Sequence, residues 1–166
     1  MKKTLSLLII AIIALTSSIN ANAWTDRNTF NLKGPVKAVY YNGSDYASLE
    51  FYKNGEIIFE EDPNLYWATI ERDNKGRINY MTMDGYTYNS KGQVIETNHL
   101  GGGAEYTIKH TYNAKGHIIK EITDGSEGNY TTTYTYQKFD KYGNWTKRTA
   151  KNKYGTTVET RTITYY

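Results

Sequence analysis

Apolar and polar positions along the chain follow one pattern that recurs around six glycines. The segments are FYKNGEII (51–58), RDNKGRIN (72–79), YNSKGQVI (88–95), YNAKGHII (112–119), FDKYGNWT (139–146) and KNKYGTTV (151–158). In five of them Asn or Asp stands three residues before the glycine, where a short polar side chain accepts from the backbone two residues on and starts a type I turn; Tyr52 is the exception. Glycine then takes the left-handed conformation that closes a three-residue hairpin loop with a bulge. This geometry sets the residue four before each glycine opposite the residue two after it. The expected pairs are Phe51 with Ile57, Arg72 with Ile78, Tyr88 with Val94, Tyr112 with Ile118, Phe139 with Trp145, and Lys151 with Thr157. The residue after each glycine is polar (Glu56, Arg77, Gln93, His117, Asn144, Thr156), an alternation that predicts one buried and one wet sheet face.

Alternation between these turns predicts strands near 36–42, 47–53, 56–61, 66–72, 77–83, 86–89, 93–99, 105–112, 117–123, 130–139, 144–150 and 156–165. Asp84-Gly85 reads as a two-residue hairpin, Gly101-Gly102-Gly103 as a flexible connection and 124–129 as a polar loop. The expected fold is all-β: an antiparallel meander of repeated hairpins, paired sequentially and curled into a half-barrel or folded-over sheet. Seventeen tyrosines, fourteen glycines and two prolines agree with strands and turns, and no sustained helical period occurs beyond residue 23.

The first 23 residues read differently. Lys2 and Lys3, an apolar run from Leu5 to Leu15, and Ala21-Asn22-Ala23 form the pattern of a cleavable export signal, and the apolar run is too short to span a bilayer. Residues 24–166 then form a single domain of 143 residues (166 minus 23) that carries no cysteine, so sheet hydrogen bonds and packing hold it without disulfides. Loss of the two lysines lowers the formal charge from +3 to +1 (18 basic against 17 acidic residues), which argues against a nucleic-acid partner. The expected compartment is periplasmic or extracellular, with no membrane span after the signal is removed.

Aromatic, Asp or Asn, two variable residues, Gly, polar, apolar: in this form the motif resembles the YD repeat of bacterial RHS-type secreted proteins. YNSKGQV (88–94), YNAKGHI (112–118) and FDKYGNW (139–145) match most closely, and RDNKGRI (72–78) lacks the aromatic. The similarity covers roughly residues 47 to 160. It implies a β-sheet of the kind that forms shells in large family members, and a link to carbohydrate binding. The chain also resembles small exported proteins with a few degenerate copies of the repeat.

Candidate chemistry is sparse. His99, His110 and His117 are the only histidines. In the expected register His110 faces Lys120, on the opposite side of its hairpin from His117, so no shared metal or other cofactor is expected. Glu60, Glu61 and Asp62 read as a solvated edge, GxSxG is absent, and GGGAE (101–105) lacks the strand-to-helix context of a phosphate cradle. Tyr130, Tyr134 and Tyr136 read as a cross-strand ladder. Tyr142 and Tyr154 occupy turn tips and are the candidate ligand-binding residues, with a glycan or an envelope protein as the expected partner. The sequence therefore favours a non-enzymatic binding or scaffold module. The alternatives are a small extracytoplasmic hydrolase whose carboxylates converge only in the fold, and an assembly unit joining through open sheet edges.

Overall fold

The computed structural model describes residues 24–59, 69–101, 103–126 and 128–166. The expected signal segment and the acidic run Glu60-Glu61-Asp62 lie outside them. A four-residue helix, α1 (Asp26–Thr29), precedes β1 (Val36–Tyr41), β2 (Leu49–Glu50), β3 (Ile70–Arg72), β4 (Ile78–Met81), β5 (Asp84–Tyr88), β6 (Val94–Gly101), β7 (Ala104–Tyr112), β8 (Ile118–Gly125), β9 (Tyr130–Phe139), β10 (Trp145–Asn152) and β11 (Gly155–Tyr165). All eleven strands form one antiparallel sheet in the order β2-β1-β11-β10-β9-β8-β7-β6-β5-β4-β3. From β3 to β11 this is the expected meander. The departure is β1, which pairs with β11 rather than only with its sequence neighbour, so the two ends of the described chain lie side by side.

Five of the six glycine turns have the expected register: Phe51↔Ile57, Arg72↔Ile78, Tyr88↔Val94, Tyr112↔Ile118 and Phe139↔Trp145. Their glycines all have φ between 76° and 99°, the left-handed region that disfavours a Cβ. The sixth differs. Asn152 pairs with Gly155 across a two-residue loop, so Lys151 faces Thr156, not Thr157. Asp84-Gly85 is likewise no turn: the loop is Thr82-Met83, both at positive φ, and Asp84 and Gly85 pair with Met81 and Tyr80. At β7–β8 a bulge at Ile119, opposite the step from Thr111 to Tyr112, moves His110 opposite Glu121 instead of Lys120.

Consecutive hairpins alternate between the two rims of the sheet. The five Gly turns of expected register are on one rim; the Thr82-Met83 loop, the Gly101–Ala104 connection, the β8–β9 loop and the Gly155 turn are on the other. The segment from Trp24 to Pro35 runs along the first rim and touches each of its turns. Arg27 donates to the carbonyls of Val36 (Nε, 2.8 Å) and Tyr52 (Nη2, 2.6 Å). Trp24 packs on Gly92, Asn31 Nδ2 donates to the Gly116 carbonyl at 3.0 Å, and Lys33 and Asn144 exchange two bonds of 2.8 Å.

Asp26 shows how far the sheet curls. One of its carboxylate oxygens accepts the Ile57 N–H (2.9 Å) beside β2, while both oxygens take the guanidinium of Arg72 on β3 at 2.5 and 2.8 Å. β2 and β3 are the two edges of the sheet, so a single side chain, 2 % exposed as a residue, joins them. At the other rim Leu49 and Ile58 from one edge and Met81 from beside the other line a common cleft. The sheet is thus an open barrel, curled until its edges approach, with no pairing between them among the described residues. Its apolar core of Leu32, Val36, Val39 and Phe51 sits where the rim segment meets β1 and β2.

Candidate binding face

Strand alternation sends most of the aromatic residues to one face. On β9 the side chains of Thr131, Thr133 and Thr135 are exposed, whereas Tyr130, Tyr134 and Tyr136 are half-buried on the other side with Thr132. Neighbouring strands add Tyr86 and Tyr88, Tyr106 and Tyr112, and Trp145 to this inner face. The repeat explains part of the arrangement. In Tyr88, Tyr112 and Tyr136 the hydroxyl reaches back to the preceding repeat and donates to the carbonyl of Ile78 (2.5 Å), Val94 (2.6 Å) and Ile118 (2.5 Å) respectively. The fifth segment has Phe139 in the aromatic position, which carries no hydroxyl, and Tyr136 three residues earlier makes the bond in its place.

Across the middle of this face runs a chain of contacts using one residue from each of six adjacent strands. Thr97 Oγ1 on β6 is 3.0 Å from His110 Nε2 on β7, and His110 Nδ1 is 3.0 Å from Glu121 Oε1 on β8. The Tyr134 hydroxyl on β9 donates to Glu121 Oε2 at 2.5 Å. Arg148 on β10 stacks 3.8 Å from the Tyr134 ring centre and its Nε donates to Glu159 Oε2 on β11 at 2.6 Å. Burial pushes the Glu121 carboxyl up, but bonds from His110 and Tyr134 and the field of Arg148 outweigh it and hold the group below the usual range. Burial together with the Glu121 charge raises the Tyr134 phenol well above its ordinary value. Arg148 and Arg161 both stack on Trp145, at 4.3 and 4.1 Å from its ring.

Hydrogen-bond and register signals for this chain lay in the sequence, since Thr97, His110, Glu121 and Tyr134 alternate correctly along their strands. The wrong register after the Tyr112 turn hid it, because a one-residue bulge decides whether Lys120 or Glu121 meets His110. The other histidines are elsewhere. His99 bonds Asp84 (2.8 Å) and stacks on Tyr106, while His117 is buried against Tyr136 and Phe139 at the rim. His117 and Asn144, expected to face water, are enclosed because the rim segment and neighbouring rings cover the turns they follow.

Tyr142 and Tyr154, the candidate ligand residues, stand at opposite rims and do not share a site. The Tyr142 ring lies on Gly34, where a Cβ would come within 2.7 Å of it, and 4.6 Å from the ring of Tyr165, so it fastens the rim segment. Tyr154 is 71 % exposed, edge-on to Tyr130 at 5.5 Å. Among the described residues no group of three His, Asp or Glu side chains converges to hold a metal ion, and no helix is long and apolar enough to cross a membrane. No family model, curated protein or solved structure matches the chain.

Proposed function

We propose that the chain is an exported, non-enzymatic binding or scaffold module of YD-repeat type, and that its inner face holds a glycan or a protein of the cell envelope. The observation that carries this reading is the contact chain from Thr97 to Glu159. Its acidic members are bonded, and Glu121 sits below the usual carboxylate range, whereas a general acid for hydrolysis needs a carboxyl raised toward neutrality. Rigid rings with charged groups between them supply stacking and hydrogen-bonding area at small entropic cost, which suits recognition. The turns at Asp73, Asn89, Asn113 and Asp140, in each of which Oδ1 accepts the N–H groups two and four residues on, support the YD relation.

A glycan array beside a pull-down from envelope extract tests the proposal. The expected result is capture that falls when Arg148→Ala and Tyr134→Ala open the face. Unchanged capture by both variants would remove the inner face as the binding surface.

One observation favours the hydrolase alternative: Thr97, His110 and Glu121 stand in the order of nucleophile, base and orienting acid. Against it, β6 is paired on both sides, so the N–H groups around Thr97 are engaged in the ladder rather than free for an oxyanion. Labelling of Thr97 by a fluorophosphonate, absent in His110→Gln, would establish the hydrolase and displace the binding module.

A further inference from the structure

Three positions of the chain carry Asn, then any residue but proline, then Ser or Thr: Asn42-Gly43-Ser44, Asn129-Tyr130-Thr131 and Asn144-Trp145-Thr146. In an exported chain this triplet is the acceptor pattern for a covalently attached N-linked glycan, provided that the asparagine lies in a surface loop. The fold separates the three.

Asn144 is 2 % exposed and its carboxamide is fully used. Oδ1 accepts the Lys33 N–H at 2.8 Å, and Nδ2 donates to the Lys33 carbonyl at 2.8 Å and to the Tyr165 hydroxyl at 3.0 Å. A glycan there would unseat the rim segment. Asn42 is exposed but clamped to β11: its N–H donates to the Thr160 carbonyl at 2.8 Å and its Oδ1 accepts the Thr160 N–H at 3.0 Å. The Ser44 hydroxyl is taken as well, donating to the Tyr46 carbonyl at 3.0 Å and accepting the Tyr46 N–H at 3.1 Å.

Asn129 differs. It is exposed in the connection between β8 and β9, on the rim opposite the Trp24–Pro35 segment. Its backbone carbonyl accepts from Lys153 Nζ at 3.3 Å, while among the described residues no hydrogen bond holds its carboxamide. Thr131 is exposed too, and its hydroxyl likewise has no partner among the described residues. The backbone here is lightly tied. Gly128 stands just before it at φ +93°, and β10 pairs with β9 only as far as Thr133, so Tyr130 and Thr131 are laddered on the β8 side alone. Resonance makes an amide nitrogen a poor nucleophile, so a transferase has to grip both the carboxamide and the hydroxyl two residues on. Of the three triplets, this one leaves both groups open to that grip.

From this contrast we infer that Asn129 is a site of N-linked glycosylation, with a polyprenyl-diphosphate-linked oligosaccharide as the donor. Nδ2 forms a bond to the anomeric carbon of the first sugar, and the bond from that carbon to the diphosphate oxygen breaks. The lipid diphosphate leaves with the electron pair, and one Nδ2 proton passes to a base of the transferase. The inference rests on the export part of the reading above and not on what the inner face holds.

The test is peptide mapping by mass spectrometry of the chain recovered from the cells in which it is native, with its N-terminus sequenced. Expected are a first residue of Trp24 and, on the tryptic peptide Glu121–Lys138, an increment of hexose or N-acetylhexosamine units assigned to Asn129, with Asn42 and Asn144 bare. Thr131→Ala should abolish the increment and Thr131→Ser should keep it, both at an exposed position that leaves the fold intact. A bare Asn129 in a chain that begins at Trp24 overturns the site and leaves the binding module standing. A chain that keeps residues 1–23 overturns the export reading and the site together. An increment that survives Thr131→Ala, or one found on Asn144, also overturns the inference.

Discussion

At the residue scale one acceptor atom organises each of four turns. Oδ1 of Asp73, Asn89, Asn113 and Asp140 takes two backbone N–H groups, two and four residues on, at 2.9 to 3.0 Å. Glycine completes the turn: Gly116 has φ of +82° and its absent Cβ would meet only Gln93 Nε2, at an ordinary 3.6 Å, so the constraint there is backbone and not crowding. Gly116→Val should therefore destabilise the fold by about 1 kcal/mol or more, read as a lower melting temperature; equal melting temperatures would contradict the assignment. Titration adds a second prediction. Burial beside Tyr136 and Phe139, with help from Lys33, Lys115 and Arg161, lowers the His117 pKa. Since the folded value is below the unfolded one, this stabilisation is complete above about pH 6.5 and declines as pH falls from there through the folded value. Denaturation midpoints should drop across that window, and His117→Phe should flatten the drop. Asp140 gives a later step: burial raises its pKa, but bonds from Tyr165, Asn144 and Tyr142 prevail and lower it, so its contribution is lost only below about pH 4.

Elements are legible in the sequence to the extent that their turns are. Alternating apolar positions and the Asx-x-x-Gly pattern place the strands from β6 to β11 within about two residues, because local turn chemistry and face alternation act together there. Gly155 shows where the pattern misleads. It follows Gly143 by 12 residues, room for one strand only, while the other spacings of 16 to 27 leave room for two. That spacing already places it on the opposite rim, and Lys151, in the position held by an aromatic in four of the other five segments, has no ring to pack. The Thr82-Met83 loop was not legible, since neither residue favours positive φ and only the pairing of Asp84 with His99 fixes the register. Between repeats, the tyrosine hydroxyls supply the link that hairpins alone lack. Tyr112→Phe should cost about 1 kcal/mol, the ordinary net worth of one hydrogen bond, and lower the denaturant midpoint with an unchanged slope. A changed slope would mean that the ring, and not the hydroxyl, had been disturbed.

For the whole molecule, the decisive partner is the segment from Trp24 to Pro35. Nothing in its own pattern announces this role, because contacts with five turns far apart in sequence have no local signature; in three dimensions it shows in the burial of two charged residues, Asp26 at 2 % and Arg27 at 7 % exposure. By seating the turns of one rim it curls the sheet and leaves the inner face and the opposite rim accessible. Eleven strands are more than the roughly eight whose side chains fill a closed barrel, so the inner face keeps half-exposed rings and charges instead of a dry core. Native-state hydrogen exchange of Asp26→Ala tests this most directly. The account predicts faster exchange at the Ile57 and Ile78 amides, beside the two edges that Asp26 joins, with the Gly116 and Gly143 turns unaffected. Unchanged protection at Ile57 and Ile78 would contradict it.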